Sequence, residues 1–449
     1  MHDIGDFSAS LDLAWAVPFA GLLLSIALGP LVAPHLWHRH YGKLAAFWTF
    51  GFLLPDAIHR GVRPMLATLT GVVLEEYLPF ILLLAALFTI AGGLHIKGTP
   101  RASPAINTLL LGLGTAMASV IGTTGATMMM LRPLIRANRH RARPAHVFVF
   151  FILLVANVGG ALSPLGDPPL FLGYLLGVPF FWPLLHLGLP TLLLATCLLA
   201  SFYTLDTLAH RRAPRQEPNV IAEVERLGID GKINFLLLAG TIATILLRAV
   251  WHPPIAIVIF KVELDFAEIT ADIVLVALIA LSLALTSRGV RKANGFSWGP
   301  IVEVGILFAA IFITLQPVMA IIAGGARGPA ALLFAQLFAD GAPNVPLFYW
   351  TTGMLSAFLD NAPTYVVFFG FAGGDPAQLT GSLARVLTAI SAGAVYFGAM
   401  TYLGNAPNFM AKAMIESQGI KMPSFFGYLG WSCLFLLPWL VVIDLVFFR

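Results

Sequence analysis

Asp167 and Asp360 carry the sharpest chemistry in this sequence, because each lies in a stretch otherwise apolar enough for a bilayer. Asp167 stands in GGALSPLGDPP (159–169) and Asp360 in SAFLDNAPT (356–364). A carboxylate inside a membrane costs about 2.5 kcal/mol or more, so by default it marks an ion path or a proton relay. Out of water a carboxylate also holds its proton more firmly, so a proton and a small cation can compete for it. Neutral oxygens that could complete a cation site are close in sequence. Thr123 and Thr124 lie in SVIGTTGAT (119–127), Ser163 precedes Asp167, Asn361 follows Asp360, and Thr401 and Asn405 lie in GAMTYLGNAPN (398–408). Gly125, Gly166 and Gly404 share these segments. Glycine and proline there free backbone carbonyls, which are hard oxygen ligands suited to a small cation. The bland alternative is a structural pair, Asp360 with Lys412 or Arg385.

The surroundings of these residues are those of a membrane protein. Of 449 residues, 58% are hydrophobic and 11% charged, and the mean hydropathy is +0.87. Soluble domains carry about 25% charged residues, so a solvated surface of this size could not be covered. Soluble, disordered, collagen-like and disulfide-scaffold classes are excluded. Cys197 and Cys433 sit inside apolar runs and read as small core residues, with neither a disulfide nor a metal pair implied. The net charge of +4 points to loop topology rather than to nucleic acid. The opening MHDIGDFSAS lacks the basic start of a signal peptide, so the apolar stretch after it reads as a retained helix.

At a rise of about 1.5 Å per residue, some 20 residues cross the bilayer core. Crossings are expected at 13–33, 44–59, 66–95, 147–178, 181–208, 233–251, 267–286, 299–323, 382–415 and 424–448. Glu75 and Glu76 suggest an interfacial start to the third. The stretches 104–131 and 328–371 are too long for one helix and are broken near their middles.

Charge decides how those two run. Lys97 and Arg101 flank the first on one side, and Arg132, Arg136, Arg139, Arg141 and Arg143 on the other. Cytoplasmic loops collect Lys and Arg, so this segment enters and returns on the cytoplasmic side. The second is followed by FAGGDPAQLTG, which has no basic residue, so its ends are expected outside. Two re-entrant hairpins then point at each other. Arg39, Lys43, Arg211, Arg212, Arg215, Arg226, Lys232, Arg288, Arg291, Lys292 and Lys421 fit the same scheme, with both termini outside and Arg60 and Arg63 as exceptions.

The chain also repeats. IGTTGAT (121–127) aligns with FLDNAPT (358–364) at an offset of 237, which pairs Thr123 with Asp360. GALSPLGDPP (160–169) aligns with GAMTYLGNAP (398–407) at 238, matching Gly160/Gly398, Ala161/Ala399, Leu165/Leu403, Gly166/Gly404 and Pro169/Pro407. Each half holds five crossings and a hairpin, and an odd number turns the second half upside down. The fold expected is an all-α polytopic membrane protein of two inverted repeats, each with a re-entrant hairpin and a broken helix. Segments 1–95 and 233–323 would be scaffold, 96–208 and 324–449 the hairpin-bearing parts, and 209–232 the cytoplasmic linker.

Other embedded ionisable residues read more simply. Glu303 and Asp272 lie near helix ends, Asp56, Asp206 and Asp444 at boundaries, and Arg248 as a snorkelling side chain. HLWHRHYGK and ANRHRARPAH read as basic loop, and the MMM run at 128–130 as packing.

The hairpin tips, with GGALSPLGDPP repeated as GAMTYLGNAPN, resemble the ion transporter superfamily over essentially the whole chain. That group includes NhaD-type sodium/proton antiporters, arsenite permeases, citrate transporters and divalent anion/sodium symporters. The resemblance implies a homodimer whose scaffold holds a mobile transport domain. Members that carry carboxylates usually have Ser-Asn-Thr-like tips and a Thr-Pro-rich break ending in Asn. This chain has Thr-Thr-Gly and Asp-Asn-Ala at the tips and an acid at Asp167, which resembles the cation/proton exchangers instead.

The expectation is a secondary transporter of the cell inner membrane, not an enzyme, exchanging sodium for protons by alternating access. Asp167, Asp360 and Asn405 would bind sodium, with no cofactor beyond the transported ion. Its partners would be sodium, protons, the bilayer and a second copy, with no nucleic acid. The alternative is a sodium-coupled citrate, dicarboxylate or other anion transporter of the same fold. A remote third reading is an intramembrane aspartyl protease using the two acids, although no Tyr-Asp partner motif and no HExxH occurs.

Overall fold

The computed structural model describes residues 11–98, 102–212, 228–251, 253–259, 262–339 and 341–449. It is an all-α polytopic membrane protein. Among the described residues, eight helices are long and apolar enough to cross a bilayer: Leu13–Val32, Val62–Ala91, Pro104–Ile121, Ala145–Leu162, Trp182–Arg212, Ile233–Val250, Phe266–Leu285 and Gly299–Ala323. A ninth span is the pair Phe425–Phe435 and Leu437–Phe448, bent by 42°. Pro438 sits at the start of the second piece and cannot supply the N–H that would continue the first. Outer helices turn Leu185, Leu189, Leu236 and Ile273 outward. An apolar exterior of that kind requires lipid as its solvent. The run from Val147 to Ala156 is instead fully buried, so the broken helix that carries the chemistry runs through the centre of the molecule.

Several crossings differ from the sequence reading. The stretch 44–59 is part of a longer helix, Pro34–Arg60, which begins at a proline in its favoured first-turn position and takes in the polar HLWHRHYGK. It is therefore not among the apolar spans. The third crossing is one rod with a π-helical turn at Val72–Tyr77, where Glu75 and Glu76 lie within the rod and not at its start. Trp182–Arg212 continues past residue 208. Of the linker at 209–232, Arg215 and Arg226 fall outside the described residues, as does Arg101. Gly228–Asp230 forms a short strand on His95–Lys97, tied by Lys97 to Asp230 at 2.7 Å.

The two interrupted stretches are helical hairpins. The first joins Pro104–Ile121 to Thr123–Asn138 through Gly122, and the second joins Val345–Leu359 to Asn361–Phe371 through Asp360. Each opens on a side-chain cap followed by proline: Ser103 accepts from the Ile106 N–H at 3.2 Å and Asn344 from Leu347 at 3.2 Å. The second arm of the first hairpin extends beyond 131 because Arg136 docks on the carbonyls of Ile96 and Gly98. The second hairpin starts at Val345, after a separate short helix at Ala331–Leu337 and a small strand turn.

At the tips the backbone corrects the 237-residue register. Gly122 has φ 78° and ψ 152°, and Asp360 has φ 83° and ψ 139°. Asp360 is thus the counterpart of Gly122, and Asn361 that of Thr123, at the same 238-residue spacing as the helix breaks. Side-chain polarity had aligned Asp360 with a threonine, whereas the shared constraint is the backbone turn.

The breaks also correspond. Ala145–Leu154 gives way to a 3-10 turn at Val158–Leu162 and resumes at Pro168–Leu175. Ala384–Phe397 is interrupted through Asn405 and resumes at Ala406–Ser417.

Candidate functional site

Each broken helix is locked to its own hairpin by short hydroxyls, and this lock sets the site geometry. Ser119 donates to the Gly159 carbonyl at 2.5 Å, Ser163 donates to the Ser119 carbonyl, and the Thr123 N–H donates to the Gly166 carbonyl at 2.8 Å. In the other half Ser356 donates to the Ala394 carbonyl and Thr401 to the Ala357 carbonyl, each at 2.5 Å. Ser163 and Thr401 also accept from the Leu165 and Leu403 N–H groups, at 3.2 and 3.0 Å. These two hydroxyls are thereby committed to holding backbone in place. Glycine is required where the break passes the hairpin: a Cβ at Gly404 would lie 2.8 Å from the Ser356 carbonyl, and one at Gly166 would collide with Gly160.

The lock places Asp167 and Asn405, each just before the first turn of a resumed helix, face to face across the two halves. Asn405 Nδ2 donates to Asp167 Oδ1 at 2.9 Å. Thr123 Oγ1 donates to the same oxygen at 3.2 Å, and Asn361 Nδ2 to Oδ2 at 2.5 Å. Asp167 is 1% exposed and carries no ion pair among the described residues. Its hydrogen-bond partners are therefore all neutral, contributed by both hairpins and the opposite broken helix. Asn361 Oδ1 is buried without a hydrogen-bond partner beside this carboxylate. An orphaned carbonyl oxygen next to a carboxylate is a donor set suited to a hard cation.

Behind Asn405 runs a chain of buried amides. Asn405 Nδ2 also donates to Asn157 Oδ1 at 3.2 Å, Asn157 Nδ2 donates to Asn408 Oδ1 at 2.7 Å, and Asn408 Nδ2 donates to the carbonyls of Gly398 and Thr401. Sequence reasoning did not single out Asn157, Asn408, Ser119 or Ser356. A lone asparagine in the apolar run FFILLVANVGG was the available signal for Asn157.

Asp360 caps its own second arm, with Oδ1 accepting from the Ala362 N–H at 3.1 Å. Lys412 lies 3.5 Å from Glu416 and over the Tyr402 ring, while Arg385 donates to the Arg449 carbonyl at 3.1 Å. The basic partners considered for Asp360 are thus engaged elsewhere.

Asp167, Asp360, Thr123, Thr124, Asn405, Gly125 and Gly166 all line one cavity of about 610 Å³. Asn361 joins them through Asp167, whereas Ser163, Thr401 and Gly404 stand behind the wall. The lining is otherwise apolar, from Leu83, Leu87, Phe171, Phe308 and Met410 among others. It holds three carboxylates, Asp167, Asp360 and Glu303, and among its described residues no basic side chain. Next to the lining residues Phe308 and Phe171, Phe80 stacks on Phe308 at 4.6 Å and also meets Phe312 and Phe171. The lining also includes Trp37, Gly299 and Ser417, on chain segments that carry Arg39, Lys292 and Lys421 nearby in sequence.

Among the remaining acids, Asp206 is buried and bound by Arg141, His146 and Asn107, which ties the ends of the first hairpin to the helix Trp182–Arg212. Arg248 pairs with Glu268 at 2.7 Å, and Asp56 with Arg60 at 2.5 Å.

A family model described as "Putative citrate transport" matches residues 8–448. No curated protein matches the chain.

Proposed function

Because the chain belongs to this citrate-transport family, and is therefore a transporter and not an enzyme, we propose that it is a sodium/proton antiporter of the inner membrane working by alternating access. The observation that carries this reading is Asp167, a buried carboxylate whose partners are the neutral Thr123, Asn361 and Asn405. An uncompensated charge at that depth must be neutralised by a proton or by a cation. The two bind to the same oxygens and exclude each other, so alternate exposure of the site couples their movement. Asp360 adds a second acid at the same cavity, the orphaned Asn361 carbonyl supplies neutral oxygen, and the Asn405 amide would add another when turned over. The presence of Trp37, Gly299 and Ser417 in the lining, close in sequence to Arg39, Lys292 and Lys421, fits a cavity that faces the basic, cytoplasmic side.

The paired hairpins and breaks, alike at a spacing of 238 residues, support the reading of two inverted repeats. The locked hairpins and breaks would form the moving unit, carried as an elevator against a scaffold in a homodimer with both termini outside.

Citrate or another carboxylate cotransported with sodium is the second reading. The family description favours it. So does the meeting of helix N-termini at Thr123, Pro168, Asn361 and Ala406, since such termini attract anions. Against it stand three carboxylates in the lining with no basic side chain to offset them. Purified protein in vesicles with an imposed pH gradient separates the readings when sodium, lithium, potassium or citrate is added. Dissipation by sodium without any anion supports exchange, and a strict need for citrate supports the second reading.

A further inference from the structure

Glu303 is the third carboxylate of the cavity and takes no part in the Asp167 cluster. It lies on the helix Gly299–Ala323, just over one turn from its start, and lines the cavity together with Gly299, Pro300 and Ser417. Trp37, which is 6% exposed, donates its indole N–H to Glu303 Oε1 at 3.1 Å. Among the described residues this is the only hydrogen bond to the carboxylate, so Oε2 has no partner among them.

The position matters because of the charge around it. Arg39 and Lys43 lie close in sequence to Trp37, Lys292 to Gly299 and Lys421 to Ser417, on segments whose charge bias reads as cytoplasmic. Basic groups at an entrance lower the local concentration of cations, and a carboxylate inside it restores a favourable potential. The neighbouring cavity wall is apolar: Ile301, Val304, Leu307 and Phe308 lie on the same helix. Low-dielectric walls strengthen the field of that one charge. An indole N–H is a neutral donor with no acceptor capacity, so it orients the carboxylate without cancelling its charge.

We infer that Glu303, oriented by Trp37, is a second cation-binding site at the cytoplasmic mouth of the cavity, which takes a sodium ion before it passes to Asp167. The inference rests on the cation-exchange reading for the transport step but not for the binding itself. Glu303 is a capture site, weaker than the Asp167 site because it offers one carboxylate and few neutral oxygens. Trp37 is a positioning residue.

Sodium binding to the purified full-length protein tests this without any transport, through the relaxation of the sodium-23 resonance during a sodium titration. Wild type should show two saturable components. Asp167→Asn should remove the tighter and Glu303→Gln the weaker, while Trp37→Phe keeps the carboxylate and weakens only the second component. In vesicles, Glu303→Gln should raise the sodium KM by about 10-fold, the scale of local concentration by a charged cleft, and by more than it lowers the maximal rate. The shift should shrink at high ionic strength. If Glu303→Gln leaves both binding components intact, the inference is overturned even if exchange is confirmed. If the protein exchanges no sodium for protons yet loses the weaker component in Glu303→Gln, the exchange reading fails and the site stands. Trp37→Phe decides the matter where the glutamine variant does not fold: unchanged sodium binding there overturns the positioning of Glu303.

Discussion

Asn405 Nδ2 lies 2.9 Å from Asp167 Oδ1, although the two are 238 residues apart and each occupies the same place before its own resumed helix. The two halves of the chain thus meet at equivalent positions, one a carboxylate and the other an amide. The amide can donate to a carboxylate and, turned over, offer oxygen to a cation. Asp167→Asn keeps the volume and one oxygen but turns a second N–H donor toward Asn361 or Asn405. Coupled sodium/proton exchange should vanish, with sodium affinity falling by about 10–100-fold or more, the range seen when groups supporting a metal site are removed. Vesicle transport and gel filtration of the same preparation check this. Wild-type exchange would remove Asp167 from the site.

Asp360 holds φ 83° and ψ 139°, a positive-φ extended conformation that costs a non-glycine residue about 1–3 kcal/mol. Gly122 takes the matching turn in the other hairpin. Asp360→Gly should therefore be more stable in detergent than Asp360→Ala by about 1–3 kcal/mol. Asp360→Ala suffers twice, since it also loses the cap on the Ala362 N–H. Thermal unfolding of the two variants measures the difference, and transport should be lost in both.

Asn157→Ala removes the link between Asn405 and Asn408. It leaves buried amide groups unpaired, at a cost of about 1–3 kcal/mol. Unfolding in detergent should register that loss. Transport should fall as well, because Asn405 is then held by fewer groups. A variant as stable and active as wild type would mean that the network is not part of the site.

Competition at one carboxylate fixes the direction of pH dependence. As pH falls, protons occupy the site more often, so the apparent KM for sodium should rise while the maximal rate at saturating sodium changes less. A sodium KM independent of pH would show that proton and sodium do not share the site.

Single cysteines placed beside Arg139 and Gly374 test the topology. They should react with a membrane-impermeant reagent from opposite sides. Labelling from the same side would end the inverted arrangement.

Membrane class, both hairpins, both helix breaks and the two acids were legible in the sequence, because polar and helix-breaking residues in apolar runs are costly and hence informative. The register at the tips was not, since Asp360 performs the backbone turn that glycine performs at Gly122 and sequence similarity sees only side chains. Ser163 and Thr401 read as ion ligands because a hydroxyl donating to a carbonyl one element away looks the same in sequence as one facing a cavity. Asn157 and Asn408 depend on contacts 251 residues apart, and no local pattern marks them. Glu303 does lie near a helix end, but its bond to Trp37, 266 positions away, has no local mark in the sequence.

The most direct measurement of the central claim is proton release on sodium binding, recorded in lightly buffered solution as sodium chloride is added to purified protein. Occupation of a protonated carboxylate by a cation must expel its proton. Wild type should acidify the medium saturably with sodium, and Asp167→Asn should not. Sodium binding without proton release, or saturable binding of citrate that persists unchanged in Asp167→Asn, would contradict the account.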